Sequence, residues 1–468
     1  MVISPSPSSS PSPVTVEQLP ALRRRITAVL IASQILGGLG VAVGIALAAV
    51  LAKEVSGTES LSGLAPTATV AGTALLSVPL AALMTARGRR PGLVLAYLIG
   101  ALGATVVVVA AAVENFPLLL VGMAGFGAAS SANLQARFAA ADLAEPGARA
   151  RAISNVVWAT TIGAVLGPNI AAPAGRSVSG IGIPKEAGPF VWAAGIFLIS
   201  AVVVALLLRP DPLLTARALE PADDQSAAGR SLRAGFAAVA ASPQARLALV
   251  TVAIAHTAMV SIMSMTPVDL GHHGASIDLI GLVISGHIAG MYAFSPVMGR
   301  LADRIGRLAV IALSVSLLAC AALLSGTAGS NHGQTAAGLF VLGLGWSAGL
   351  VAGSALLTDS VPQPARAAAQ GLSDLTMNTA AGVGGALAGL IVARASYGWL
   401  NLIAALLLLP LAAFALFTRG PGRTDVETAA GVEAGTEVGA GDGTGARAED
   451  GTGTRAGAGI VAEDVPKD

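Results

Sequence analysis

Gly299-Arg-Leu-Ala-Asp303-Arg304-Ile-Gly306-Arg307 is a charged run set between two apolar stretches, 277–299 and 308–328. Each stretch is long enough to cross the hydrocarbon core of a bilayer, which takes about 20 apolar residues. The charged run therefore reads as a connection at the membrane surface. Its glycines permit a tight turn and close helix approach. Asp303 is placed to accept hydrogen bonds from a neighbouring helix end, or to pair with an arginine when the halves of the molecule close.

Outward from this run the same pattern repeats along the chain. Hydrophobic residues make up 54% of the sequence and charged residues 11%, with mean hydropathy +0.75. A soluble domain carries about twice that charge, so the chain is an integral membrane protein. Six spans are expected in the first half, at 26–52, 62–86, 92–113, 117–141, 151–174 and 189–208. Six more are expected at 246–268, 277–299, 308–328, 335–358, 367–393 and 399–418. The resulting division is a tail at 1–22, a six-helix unit at 23–208, a polar central loop at 209–245, a second unit at 246–418 and a tail at 419–468. The first tail is rich in Pro and Ser without the positive region of a signal peptide, and the second is rich in Gly, Ala, Thr and Glu; both are expected to be disordered. The single cysteine, Cys320, excludes an intrachain disulfide and any cysteine-based metal cluster.

Arginines near 23–25, 87–90, 149–151, 209–233, 304–307 and 366 gather on one side of the expected topology. The other side holds Lys53, Arg176, Lys185 and Arg394. The positive-inside rule then places both termini and the central loop in the cytoplasm. The two units also repeat. Gly88-Arg89 after the second span matches Gly306-Arg307 after the eighth, and Asp142 with Arg149 matches Asp359 with Arg366. Parallel six-helix repeats are the architecture of one transporter class, with the substrate site near the midplane between halves.

The run from Gly299 to Arg307, with Gly299, Asp303, Arg304, Gly306 and Arg307 in place, resembles the signature loop of the major facilitator superfamily. The resemblance covers about 23–419. It implies an all-α membrane protein with twelve transmembrane helices in two pseudo-symmetric six-helix bundles, working by alternating access. The first-half copy is degraded: Thr85 stands for the aspartate and Ala86 for the arginine, so an aspartate latch is expected on one side only. Gly163-Ala-Val-Leu-Gly167-Pro168-Asn-Ile-Ala171-Ala172 resembles the superfamily's antiporter motif with its closing glycines replaced, and reads equally as small-residue packing.

Met259 and Met263 share a helix face, as do His287 and Met291, because residues four apart are neighbours. At 1.5 Å per residue both pairs lie about 13–15 Å from the same membrane surface. Thioether sulfur is soft and suits Cu(I). Met at this spacing in an apolar helix is also ordinary packing filler, whereas an intramembrane histidine leans towards function. Met-x-x-x-Met on the seventh span with His-x-x-x-Met on the eighth resembles the CcoA-like copper importer branch. That resemblance implies Met259, Met263, His287 and Met291 as ligands of transported copper. His256, and His272 with His273 on the outer connection, are placed to assist. The wider family includes riboflavin carriers that lack these motifs.

Gln34, Asn133, Gln135, Arg137, Asn155, Asp374 and Asn378 are polar in apolar surroundings and are expected to face the bundle interior. Arg137 and Asp142 are candidates for an inter-helix latch, and Asp374 for proton coupling. Tyr292, Trp158 and Trp346 are available to stack on a planar solute. No acidic residue lies mid-span in the first six helices, which tells against the usual proton/multidrug antiporter. No Walker loop, nucleophile elbow or His-Glu-x-x-His occurs, so the chain is expected to be neither an ATP-driven pump nor an enzyme, and to hold no cofactor. The expectation is a monomeric plasma (inner) membrane transporter of a small molecule or metal ion, with no nucleic-acid partner. Copper import is the first reading. The alternatives are a proton-coupled exporter of an organic solute or drug, a riboflavin-like vitamin carrier, and a transporter-like sensor or scaffold.

Overall fold

The computed structural model describes residues 16–417, apart from 59, 60, 62, 179, 181 and 220–231. The expected tail 419–468 and most of 1–22 lie outside the described residues. The first unit contains α1 (Leu19–Ser56), α2 (Leu64–Arg87), α3 (Arg89–Ala112), α4 (Phe116–Asp142), α5 (Arg149–Ser177) and α6 (Gly188–Leu207). Two short helices, α7 (Pro212–Leu219) and α8 (Leu232–Ala241), follow within the central loop. The second unit contains α9 (Pro243–His272), α10 (Ile277–Tyr292), α11 (Ser295–Ile305), α12 (Arg307–Gly326), α13 (His332–Ser360), α14 (Arg366–Arg394) and α15 (Tyr397–Phe417). The architecture is all-helical among the described residues.

Among the described residues ten helices are long and apolar enough to cross a membrane, a bent fifth makes eleven, and α15 contributes a shorter apolar stretch, Tyr397–Ala413. These follow the order of the twelve expected spans. The fifth bends by 43° between Gly167 and Asn169. Pro168 stands between them, and a proline lacks the N–H that a helical hydrogen bond needs.

Two expectations are corrected. α1 begins at Leu19, so residues 19–22 are helical and not part of a tail. The eighth span continues to Ile305 with a break after Tyr292, so Gly299, Asp303 and Arg304 lie on α11 and not in a loop. The turn itself is a single residue, Gly306, with φ +93°. Gly88 occupies the matching place with φ +93°, a conformation that side chains other than glycine's rarely adopt. The repeated Gly-Arg is therefore a repeated backbone turn.

Helix packing repeats in the same order in both units. The neighbours α1·α5, α3·α4, α2·α4, α3·α6 and α1·α6 correspond to α9·α14, α12·α13, α10·α13, α12·α15 and α9·α15. Two apolar cores form, one within the first unit around Phe126, Phe190 and Phe197, the other around Leu342, Trp346 and Val351 of the second unit and reaching Ile153 and Val157 of α5. Lipid tails are as apolar as leucine, so these helices are held by close packing and not by exclusion from water. The antiporter-like glycines serve that end: Gly163 lies against the backbone of Gly38 and Leu39, and Gly167 against Ala42. The units meet mainly where α2 faces α14 and where α5 faces α11, again a symmetric pair.

Candidate functional site: a central cavity above a polar seal

At the ends of the helices bearing the arginine-rich connections, the two units are tied by three tiers of polar contacts. The outermost tier centres on Asp303. Its carboxylate accepts from the backbone N–H groups of Ala150 (3.2 Å) and Arg151 (2.9 Å) at the start of α5. The same carboxylate accepts from Arg307 Nη1 at 2.7 Å. A negative charge at a helix N-terminus satisfies otherwise unpaired donors and the helix dipole together. Arg307 Nη2 also donates to the carbonyl of Pro146 (2.7 Å), and Asp359 bridges Arg149 (2.7 Å) and Arg307 (3.1 Å). In the first unit the Thr85 hydroxyl donates to Ala81 of its own helix at 2.7 Å. Arg304 is exposed.

The middle tier is a buried guanidinium. Arg89 holds Asp142 in a two-bond fork at 2.7 and 3.0 Å, donates to Gln135 at 3.0 Å and reaches across to Gln370 on α14. Such forked pairs are the stronger kind of polar contact. In the deepest tier Asp374 accepts from Arg137 Nη2 at 2.6 Å and from Gln135 Nε2 at 2.7 Å. Arg137 and Asp142, read from the sequence as candidates for an inter-helix latch, each bond to a different helix. Asp374 reaches across to α4, and Arg89 supplies the partner of Asp142.

Above this seal lies a cavity of about 390 Å³ between the units. Gln34, Asn133 and Arg137 line it from the first unit, and His256, Tyr292, Trp346 and Asn378 from the second. Trp346 Nε1 donates to His256 Nδ1 at 2.8 Å. Indole nitrogen is a donor only, so Nδ1 carries no proton and the remaining proton of the neutral ring sits on Nε2. Tyr292 packs edge-on against Trp346, with ring centroids 5.5 Å apart. Arg137 is 1% exposed, and its Nε and Nη1 meet no acceptor among the described residues. Gln34 donates to Thr160 at 2.8 Å, while its Oε1 is buried without a donor. The site therefore presents aromatic surface, unused donors and an unused acceptor.

The residues of the suggested metal face sit elsewhere. Met259 (3% exposed), His287 (0%) and Met291 (6%) are buried in the second unit, and Met263 packs beside that core. None of the four lines the central cavity, although His256 does. Helix α13 packs against both α9 and α10. His287 donates from Nδ1 to the carbonyl of Leu339 on α13 at 2.8 Å, which leaves Nε2 as a buried lone pair without a partner. His272 and His273 are exposed, and His273 bonds back to the carbonyl of Asp269 at 2.9 Å. No group of three or more His, Cys, Asp or Glu arranged for a metal occurs among the described residues. Trp158 is 40% exposed and is not part of the cavity wall.

Sequence reading singled out Gln34, Asn133 and Asn378 only as polar residues in spans, Arg137 also as a latch candidate and Asp374 also for proton coupling. It passed over Arg89, Gln370 and Asp359 as bonding groups. The repeat held a signal for them: Arg89 with Asp142 and Arg307 with Asp359 are the same pair in the two units.

Two parallel six-helix units around a midplane cavity, closed by polar tiers at one face, define a carrier-type membrane protein. The chain belongs to the major facilitator superfamily, whose family model matches residues 29–272 and 248–448. It is a multi-pass membrane protein of a family whose members are transporters. Among relatives, it is 37% identical over 397 residues to the uncharacterized MFS-type transporter YddS of Bacillus subtilis, covering 83% of this chain and 90% of that one. It is 29% identical over 398 residues to the riboflavin transporter RfnT of Brucella anthropi, covering 84% and 96%. The crystal structure of the human organic anion transporter MFSD10 (TETRAN) shares the fold, with TM-score 0.65 at 18% identity, covering 84% of this chain and 99% of that one.

Proposed function

We propose that this chain carries a compact planar organic solute, of the riboflavin kind, through the central cavity by alternating access, as a monomer in the plasma membrane with its arginine-rich face in the cytoplasm. The observation that carries this reading is the cavity wall. Tyr292, backed by the buried Trp346, offers aromatic surface, His256 offers an N–H, and Arg137 offers two nitrogens, Nε and Nη1, without acceptors. A flat heterocycle with ring carbonyls and ring N–H groups matches such a set, stacking on the aromatics while its edges pair with Arg137 and Gln34. The relationship to a riboflavin transporter supports the same solute class.

Riboflavin added to purified protein is expected to quench tryptophan fluorescence saturably. In Trp346→Phe the indole N–H that fixes the tautomer and orientation of His256 is lost, so affinity is expected to fall several-fold. Equal affinity in wild type and Trp346→Phe would count against this cavity as the site.

Copper import stands as the second reading, favoured by one observation. A metal-ligating histidine generally donates its other nitrogen to a carboxylate or carbonyl, and His287 does so towards Leu339 while Nε2 is unpartnered. Copper uptake that falls in both His287→Ala and Met263→Leu at equal protein level would favour this reading over the organic solute.

A further inference from the structure

A second pocket, of about 450 Å³, opens at the arginine-rich face between the start of α1, the end of α4 and the start of α5. It lies wholly within the first unit, apart from the central cavity. Its wall combines Arg23, Arg24 and Arg151 with Asn155, Glu145 and the apolar Ile26. We infer that this pocket binds the anionic headgroup of a phospholipid.

Charge and position carry the inference. Three guanidinium groups face one carboxylate, and that carboxylate is taken by Arg23. Arg24 is exposed and bonds to no other described residue. The side chain of Arg151 is 53% exposed and approaches Asp303 at 3.7 Å, beyond hydrogen-bond range. Arg24, and Arg151 with only a long ion pair to Asp303 to give up, can thus turn to a third party, and their planar forks match phosphate oxygens. The long apolar run of α1 begins at Ile26. Arg23 and Arg24 therefore stand about one turn outside the hydrocarbon, at headgroup depth. Basic pockets between spanning helices at a membrane surface bind anionic headgroups on these grounds.

The pocket also communicates with the seal. Arg151 faces the headgroup site on one side and Asp303 on the other. A phosphate that draws Arg151 away competes with Asp303, so the headgroup binds more tightly when the units have parted at this face. By reciprocity, anionic lipid then favours the parted state.

The test uses the purified full-length chain. Retention of phosphatidylglycerol against phosphatidylcholine is measured by native mass spectrometry for wild type, Arg24→Gln/Arg151→Gln and Arg25→Gln. Arg25 is exposed, neighbours the pocket and does not line it. Wild type is expected to retain phosphatidylglycerol selectively, the double variant to lose about tenfold in retention, and Arg25→Gln to match wild type. Arg24→Gln alone, a change at an exposed side chain, gives a partial loss and keeps the test valid if the double variant misfolds. Equal loss in Arg25→Gln would reduce the effect to diffuse surface charge and overturn the site. Equal retention of phosphatidylcholine would overturn its anion selectivity. Displacement by inorganic phosphate would reassign it to a soluble anion.

Discussion

Asp374 carries the deepest contact between the two units, and its partner has no second acceptor. Arg137 pairs with Asp374 through Nη2, while Nε and Nη1 are unmatched. Removing one member of a buried pair costs about 3–5 kcal/mol, because the other charge is left uncompensated. Asp374→Asn is therefore expected to lower the thermal unfolding midpoint markedly. Replacing both members with apolar residues of similar volume is often neutral. Arg137→Met/Asp374→Leu is thus expected to recover the midpoint and still fail to transport, because the donors at the cavity floor are gone. Full transport in that double variant would assign the pair to structure alone. His256 shows why such residues were only half legible. Its spacing places it on the helix face of Met263, but spacing along one helix does not say which neighbour closes over which turn. His256 meets Trp346 from α13 and the cavity, whereas Met259 is enclosed by the second unit's core.

At the scale of elements, α2 against α14 and α5 against α11 form the seam between the units. Gly371 on α14 is in contact with α2 so closely that an added Cβ would lie 2.2 Å from the Cβ of Ala81. Gly371→Ala is expected to prise the units apart at the arginine-rich face. Spin labels on cysteines replacing Arg87 and Arg304, with Cys320 changed to serine, would report a longer distance than in the parent; an unchanged distance would show that the seam relaxes elsewhere. Asp303→Asn acts in the same direction, since hydrogen bonds to a charged group are worth about 1.5–3 kcal/mol, and the same labels measure it. The elements themselves were largely legible. A bilayer demands unbroken apolar runs, and a turn of positive φ demands glycine, so the spans and the repeat of Gly88 and Gly306 stand out in the sequence. The break between α10 and α11 was not legible as such, because both pieces are apolar at the junction and only Pro296 marks the restart. The partners of Arg89 and Asp374 were hidden for a different reason: they lie 53 and 237 residues away along the chain, and no local pattern encodes them.

The whole molecule is a pair of repeated units whose arginine-rich ends are bonded together and whose midplane holds a cavity. The asymmetry between the two surface turns matters at this scale. Asp303 ties the second unit to α5, while Thr85, in the matching place, bonds within its own helix. Of the two surface turns, the one on the α5–α11 side therefore carries the aspartate latch. Its arginine-lined pocket is where lipid composition gains a hold on the same equilibrium. Counterflow of radiolabelled riboflavin into proteoliposomes tests the central claim most directly, with wild type, Trp346→Leu and Met263→Leu compared at equal incorporation. Accumulation in wild type and Met263→Leu, with a loss of about tenfold or more in Trp346→Leu, is the expected result, since an aromatic contact and its hydrogen bond disappear together. Accumulation that survives Trp346→Leu but collapses in Met263→Leu, or none in wild type, would contradict transport of such a solute through the central cavity.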